Sequence, residues 1–326
     1  MSNLSISAGL LTASLSQNVS ELRSRISTTS TEATTGRYED LTLHLSGRIG
    51  KAMLSQKAVD DIGSDRQILT LRSSRLSLIQ NSLTTIQDST SGIAARMLSA
   101  AVGEHETETA TAARDAKAAL TSTLSSLNAR YGDRFLFAGD ATASLPFPDP
   151  ARLLSDIEQI AQTATSAADF QAQVDTYFTS PTGGWLQDVY QGSTTTSDPE
   201  GVNANHDAIR SLVTDLVILA VGGPDGGLSR MDGYGQLLQD TSLSLSSSET
   251  DITNLRADLG VFEERIANEL TSLDTQETIL VASFNQLTAR DQYEAATELQ
   301  ALEATLEASY LLTARLSQLS LLNYLG

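Results

Sequence analysis

Residues 252–287 read ITNLRADLGVFEERIANELTSLDTQETILVASFNQL. Ile252, Leu259, Ile266, Leu273, Leu280 and Leu287 recur every seven residues. Leu255 and Phe262 supply the companion positions, which then weaken to Glu269, Gln276 and Ser283. An α-helix turns once per 3.6 residues, so an ordinary surface helix drifts out of a seven-residue register. A register held over this length marks a helix packed on another helix in coiled-coil fashion.

A second seam lies far upstream. Leu76, Ile79, Leu83, Ile86, Ile93 and Met97 follow spacings of three and four, with Thr90 filling the one gap. The six prolines, Pro146, Pro148, Pro150, Pro181, Pro199 and Pro224, all lie between these two seams. Proline breaks helix interiors, so both flanks can be long helices and the middle cannot. The middle also holds the only tryptophan, Trp185, the glycine cluster GGPDGG at 222–227, and eleven acidic against two basic residues over 146–225. The fold class that follows is mainly α: long paired helices form a rod, with a small α+β insert in the middle. Within the insert, 150–170 reads as helix, WLQDVY at 185–190 as strand, and FQAQVDTYF at 170–178 as either.

Both termini carry apolar faces. Leu11, Leu15, Val19, Leu22 and Ile26 form one stripe on a helix otherwise rich in Ser, Thr, Asn and Gln. Such residues are mediocre helix formers, so this segment is expected to order only against a partner. At the other end, Leu299, Leu302, Leu306 and Tyr310 lie near one line of a helical wheel. Leu312, Leu316 and Leu319 lie on another, and Leu311, Leu321, Leu322 and Leu325 spread further round. A helix apolar on several faces needs cover on several faces. The chain's own N-terminal helix covers one, and neighbouring subunits are expected to cover the rest. The predicted subunit-interface residues are therefore Leu11, Leu15, Val19, Leu22, Ile26, Leu299, Leu302, Leu306, Leu312, Leu316, Leu319, Leu322 and Leu325.

Composition narrows the function. A net charge of −19 repels nucleic acid and anionic membrane. The chain has no cysteine, which rules out disulfides, thiol catalysis and Cys-based zinc sites. No apolar run reaches the ~18 residues of a membrane span, and the N-terminus lacks the usual secretory pattern. His44, His105 and His206 are scattered, and GEHETE at 103–108 reads as an exposed charged segment. GGPDGGLSRMDGYG at 222–235 lacks the residues of a phosphate loop or a calcium loop and reads as a hinge. Asn18 in NVS fits a glycosylation acceptor but falls in the apolar-striped helix. GSTTTSD at 192–198 reads as a solvated loop. No catalytic, cofactor or metal constellation is present.

The C-terminal stretch RADLGVFEERIANELTSLDTQ, followed by QYEAATELQALEATLEASYLLTARLSQLSLLNYL, resembles the flagellin superfamily. The matching residues include Gly260, Glu294, Ala295, Leu299, Ala308, Ser309, Leu319, Leu321, Leu322 and Leu325. TTGR at 34–37 resembles that family's short Gly-Lys/Arg element. YGDRFLFAGDATASLPF, residues 131–147, resembles the gateway into the insert of the hook–filament junction branch, through Phe135, Leu136, Phe137, Ala138, Gly139, Pro146 and Phe147. YEDLTLHLSGRIGKAM departs from the family by lacking a proline turn after Arg37.

The resemblance implies a structural subunit of the bacterial flagellum, located outside the cell at the hook–filament junction and exported by a type III route without a cleaved signal peptide. It implies partners: further copies of itself, flagellin, an adjacent hook-associated protein and a cytoplasmic export chaperone, with no cofactor. It divides the chain into an N-terminal inner-tube helix (1–36), a helical body (37–139 and 246–290), an outward acidic insert (140–245) and a C-terminal inner-tube helix (291–326). A filament flagellin is the near alternative. An enzyme or ligand-binding module seated in 146–225 is the alternative from another class.

Overall fold

Ten α-helices account for most of the chain, as the two periodic flanks predict. The computed structural model describes the backbone of residues 2–224 and 227–325, and the side chains of 13–224 and 227–315. The helices are α1 (Ser2–Thr35), α2 (Leu41–Leu45), α3 (Ile49–Thr90), α4 (Ile93–Val102), α5 (Glu106–Ser126), α6 (Pro150–Thr163), α7 (Ala167–Thr179), α8 (Asp207–Val221), α9 (Tyr234–Thr288) and α10 (Gln292–Leu325). One two-residue hairpin, β1 (Arg130–Tyr131) with β2 (Arg134–Phe135), turns at Gly132 with φ +59°. No described helix is long and apolar enough to cross a membrane. The chain divides into one unit of residues 1–65 and 272–326 and another of residues 66–271.

In the first unit α1 lies antiparallel to α10. The amide of Gln292 donates to the Thr34 carbonyl, Arg25 pairs with Glu298 at 3.3 Å, and Arg23 lies 5.7 Å from the ring centre of Tyr310. In the single chain the Ser/Thr-rich N-terminal helix is already formed and lies against α10. Short α2 is capped by Asp40, whose carboxylate accepts the Leu43 amide at 2.9 Å.

In the second unit the upstream seam is buried as the spacing predicts. Leu76, Ile79, Leu83, Ile86, Thr90, Ile93 and Met97 are each no more than 4% exposed. The seam is carried by two helices rather than one. α3 stops at Thr90 and Gly92 turns left-handed at φ +75°, a conformation open to Gly at little cost. α9 runs antiparallel to α3. Gln80 donates to the Arg256 carbonyl at 2.9 Å and Gln87 to the Thr253 hydroxyl at 2.8 Å, while the Arg256 guanidinium returns to both glutamines. Of the downstream row, Ile252, Leu255, Leu259 and Ile266 are buried; Leu273, Leu280 and Leu287, which fall in the other unit, are half-buried.

α8 is the most buried helix, from Ile209 to Leu219. α5 packs against it and buries Ala112, Ala113, Ala116 and Ala119, whose small side chains let neighbouring backbones approach closely. One carboxylate lies within this apolar packing. Asp215 is 6% exposed and accepts the Ser248 hydroxyl at 2.7 Å. Burial pushes its pKa up to about 6, with Asp175 adding to the rise and Ser248 and Ser244 opposing it. The folded chain thus holds this proton more readily than the unfolded chain. The site's contribution to stability is full below pH ~4 and is lost as pH rises through about 6. Asp215→Asn keeps an acceptor for Ser248 and removes the buried charge. It is expected to stabilise the protein by about 2–3 kcal/mol at pH 8 and by almost nothing at pH 4, read by urea unfolding at both values.

The insert departs from the expected α+β mixture. Among its described residues the regular elements are helical; the only strand-like contact is an isolated bridge from Ala138, just before it, to Asn203. FQAQVDTYF lies in α7, burying Phe170, Val174 and Phe178 at a spacing of four. WLQDVY is not a strand. Residues Trp185–Val189 form a single π-helical turn closed by the Tyr190 amide on the Trp185 carbonyl at 2.7 Å. No neighbouring strand is available to pair with it, and the turn places Trp185, Val189 and Tyr190 on one buried side.

Candidate assembly surfaces

The interface residues predicted in α1 meet α10 with a half-buried face. Leu15, Val19, Leu22 and Ile26 are all partly covered, and the stripe runs on into Thr29, which is 4% exposed. On α10, Ala295 and Leu302 are buried, while Leu299 and Leu306 are half-buried. Of the next apolar residues, Tyr310 is 42% exposed and continues the seam line, meeting Arg23 of α1, while Leu311 at 60% and Leu312 at 56% stand off it. One partner helix covers one side of α10 and leaves these side chains in water, as the wheel analysis expects. Leu11, Leu316, Leu319, Leu322 and Leu325 lie outside the residues whose side chains are described.

The five gateway residues come together in the second unit as a structural node. Phe137, Pro146 and Phe147 are buried and Phe135 is half-buried. Asn128 clamps Phe147 from both sides, its amide nitrogen donating to the Phe147 carbonyl at 2.8 Å and its oxygen accepting the Phe147 amide at 2.9 Å. The Phe147 ring lies 5.4 Å from Trp185 and 5.8 Å from Tyr190, and Phe178 lies 5.2 Å from Trp185, all within the range of favourable ring pairs. The Trp185 indole donates to the Asn205 side chain at 3.0 Å.

The Tyr190 hydroxyl reaches the carbonyls of Ser193 at 2.8 Å and Phe137 at 3.1 Å, and burial raises its pKa. Gly139 sits at φ +59°, where an added Cβ would lie 2.5 Å from the carbonyl oxygens of both Ser193 and Thr195. No other residue fits this crossing.

The gateway also fastens the 193–200 segment. Asp140 accepts the Ser197 amide at 2.6 Å and the Thr195 hydroxyl at 2.8 Å, which lowers its pKa. Arg75 pairs with Asp198 at 3.2 Å, and Arg72 pairs with Glu200. The loop read as freely solvated is thus tied to α3 and to the gateway. Asp140 in the gateway motif was the available clue.

Several contacts were not legible from pattern. Arg290 pairs with Glu32 and Glu298 and lies 5.3 Å from the Tyr38 ring centre. A single Arg in LTARDQ gives no periodic trace. Leu43, Met53 and Leu54 in the first unit, and Ile68 and Leu71 in the second, are large apolar residues at least half exposed. Among the described residues no group of His, Asp and Glu is placed to hold a metal ion.

Residues 244–325 match the family model of the bacterial flagellin C-terminal helical region. No curated protein matches the chain. Among solved structures, a crystal structure of FlgL from Bacillus cereus aligns with 73% of this chain and 97% of its own, at 14% identity and a TM-score of 0.39.

Proposed function

We propose that this protein is a structural subunit of the bacterial flagellum that assembles through its terminal helices. The observation that carries the reading is the match of residues 244–325 to the flagellin C-terminal helical region. Beside it stands the physical state of that region: α10 is paired with α1 on one side and leaves Leu311 and Leu312 exposed on the others. Large apolar side chains left in water on faces its own partner helix does not cover are the feature that further subunits would bury.

Within that class we assign the junction between hook and filament, as in the third of the hook-associated proteins. The FLFAG–PF gateway supports this choice, because filament flagellins usually lack it. On this reading 1–36 and 291–326 are the inner-tube helices, 37–139 and 246–290 the helical body, and 140–245 the outward insert. The protein meets further copies of itself, flagellin and a neighbouring hook-associated protein outside the cell, and a chaperone before export. It works by packing, not catalysis.

Immunogold labelling of intact flagella separates the alternatives. A single ring of label at the outer end of the hook is the expected result. Label along the whole filament would assign the protein as a filament flagellin, and absence of label from the flagellum would overturn the proposal.

A further inference from the structure

We propose that Arg290 is the pin of a joint that locks the end of α1 to the start of α10, so that the terminal helix pair is held or released as one piece. The inference rests on geometry inside the first unit and on no functional assignment. α1 ends at Thr35 and α9 ends at Thr288, and these two breaks lie side by side. The Tyr38 amide donates to the Thr288 carbonyl at 3.1 Å, and the Arg290 amide donates to the Gly36 carbonyl at 2.9 Å. Arg37 bridges to Ala289 through the backbone, and its guanidinium donates to Asn285 at 2.7 Å. Gly36 adopts φ +66°, and an added Cβ would press on the Gln292 side chain at 3.3 Å. Both helix breaks therefore form one cross-linked element.

Arg290 reaches every part of it. One guanidinium nitrogen pairs with Glu32 on α1 and another with Glu298 on α10. Its plane lies over Tyr38, which stacks on His44 at 3.6 Å. The other Glu32 oxygen accepts the Glu39 amide at 3.0 Å. The side chains of Arg290 and Glu32 are 11% and 5% exposed, so these charges depend on one another rather than on water. Removing one member of such a network leaves a buried charge without a partner, so the arrangement is either complete or lost. Beyond the joint, the described contacts between α1 and α10 are aliphatic ones, buried at Ala295 and Leu302 and otherwise half-buried, with Arg23 over the Tyr310 ring and the exposed Arg25–Glu298 pair, which is weak. The pairing of the two helices near their bases therefore depends on the pin.

Hydrogen exchange on the full chain tests this, comparing wild type, Arg290→Ala and Arg290→Lys. In wild type the amides of Gly36, Tyr38, Arg290 and Ala295 are expected to be protected. In Arg290→Ala, exchange across 25–38 and 290–302 is expected to rise at least about 10-fold, while 76–90 and 252–266 stay unchanged. Lysine lacks the fork that serves two carboxylates at once, so Arg290→Lys is expected to fall between the two. If the alanine variant does not fold, the lysine variant carries the same comparison. Unprotected joint amides in wild type, no change on substitution, or an equal rise in 76–90 and 252–266 would each overturn the proposal.

Discussion

Trp185→Ala is expected to destabilise the 66–271 unit by about 3–5 kcal/mol, among the largest effects open to a single substitution in this chain. Trp185 is fully buried and is ringed by Phe147, Phe178 and Tyr190 at centroid distances of 5.2–6.1 Å. Truncation opens a cavity that the flanking backbone cannot close. The turn before it is already tight: an added Cβ on Gly183 would lie 2.2 Å from the Tyr177 carbonyl, so Trp185 has no slack to be replaced by a shift of chain. The change also strips Asn205 of the indole donor. Calorimetry should show the melting temperature falling by on the order of 10 °C. Trp185→Phe, which keeps a ring, should recover most of that loss. A fall of less than ~1 kcal/mol would mean that the aromatic node is not the anchor of the insert.

Deleting residues 312–326 is expected to abolish assembly while leaving the 66–271 unit folded. The deleted segment holds six of the seven leucines of the last sixteen residues. The described part of the seam of α10 against α1 runs through Ala295, Leu299, Leu302 and Leu306, upstream of the cut. What is lost begins at Leu312, which is 56% exposed, and takes five further leucines with it. Burial of such surface between subunits is worth ~25 cal/mol per Å², and several leucines per copy supply the drive for polymerisation. Two measurements check the prediction. Thermal unfolding of the 66–271 unit should match wild type, and hooks carrying the truncated chain should fail to grow filaments. Normal filaments on such hooks would remove the assembly role of the tail.

The helical seams were readable because they are written as a period. Leu76 to Met97 and Ile252 to Ile266 are buried in the structure at the positions their spacing gives. Burial of one face of a helix is a local property, and a 3.5-residue repeat records it whatever the partner is. The uneven covering of α10 was readable for the same reason, since Leu299, Leu302 and Leu306 fall on one line and Leu311 and Leu312 off it. The break within the upstream seam was less visible, because a left-handed Gly92 leaves the spacing of Thr90, Ile93 and Met97 intact.

The insert was misread where apolar residues lacked a long enough run to show a period. WLQDVY has six residues, too few to separate strand from helix, and only the rings of Phe147 and Phe178 decide its shape. The sequence by itself therefore determined the class of the fold and the buried faces of its seam helices. Tertiary structure alone decided the aromatic node behind the gateway, the burial of the Asp215 carboxylate and the Arg290 joint. The physical reason is distance along the chain: Arg290 meets a carboxylate at Glu32, and Tyr190 a carbonyl at Phe137, contacts between single residues that no repeat can encode.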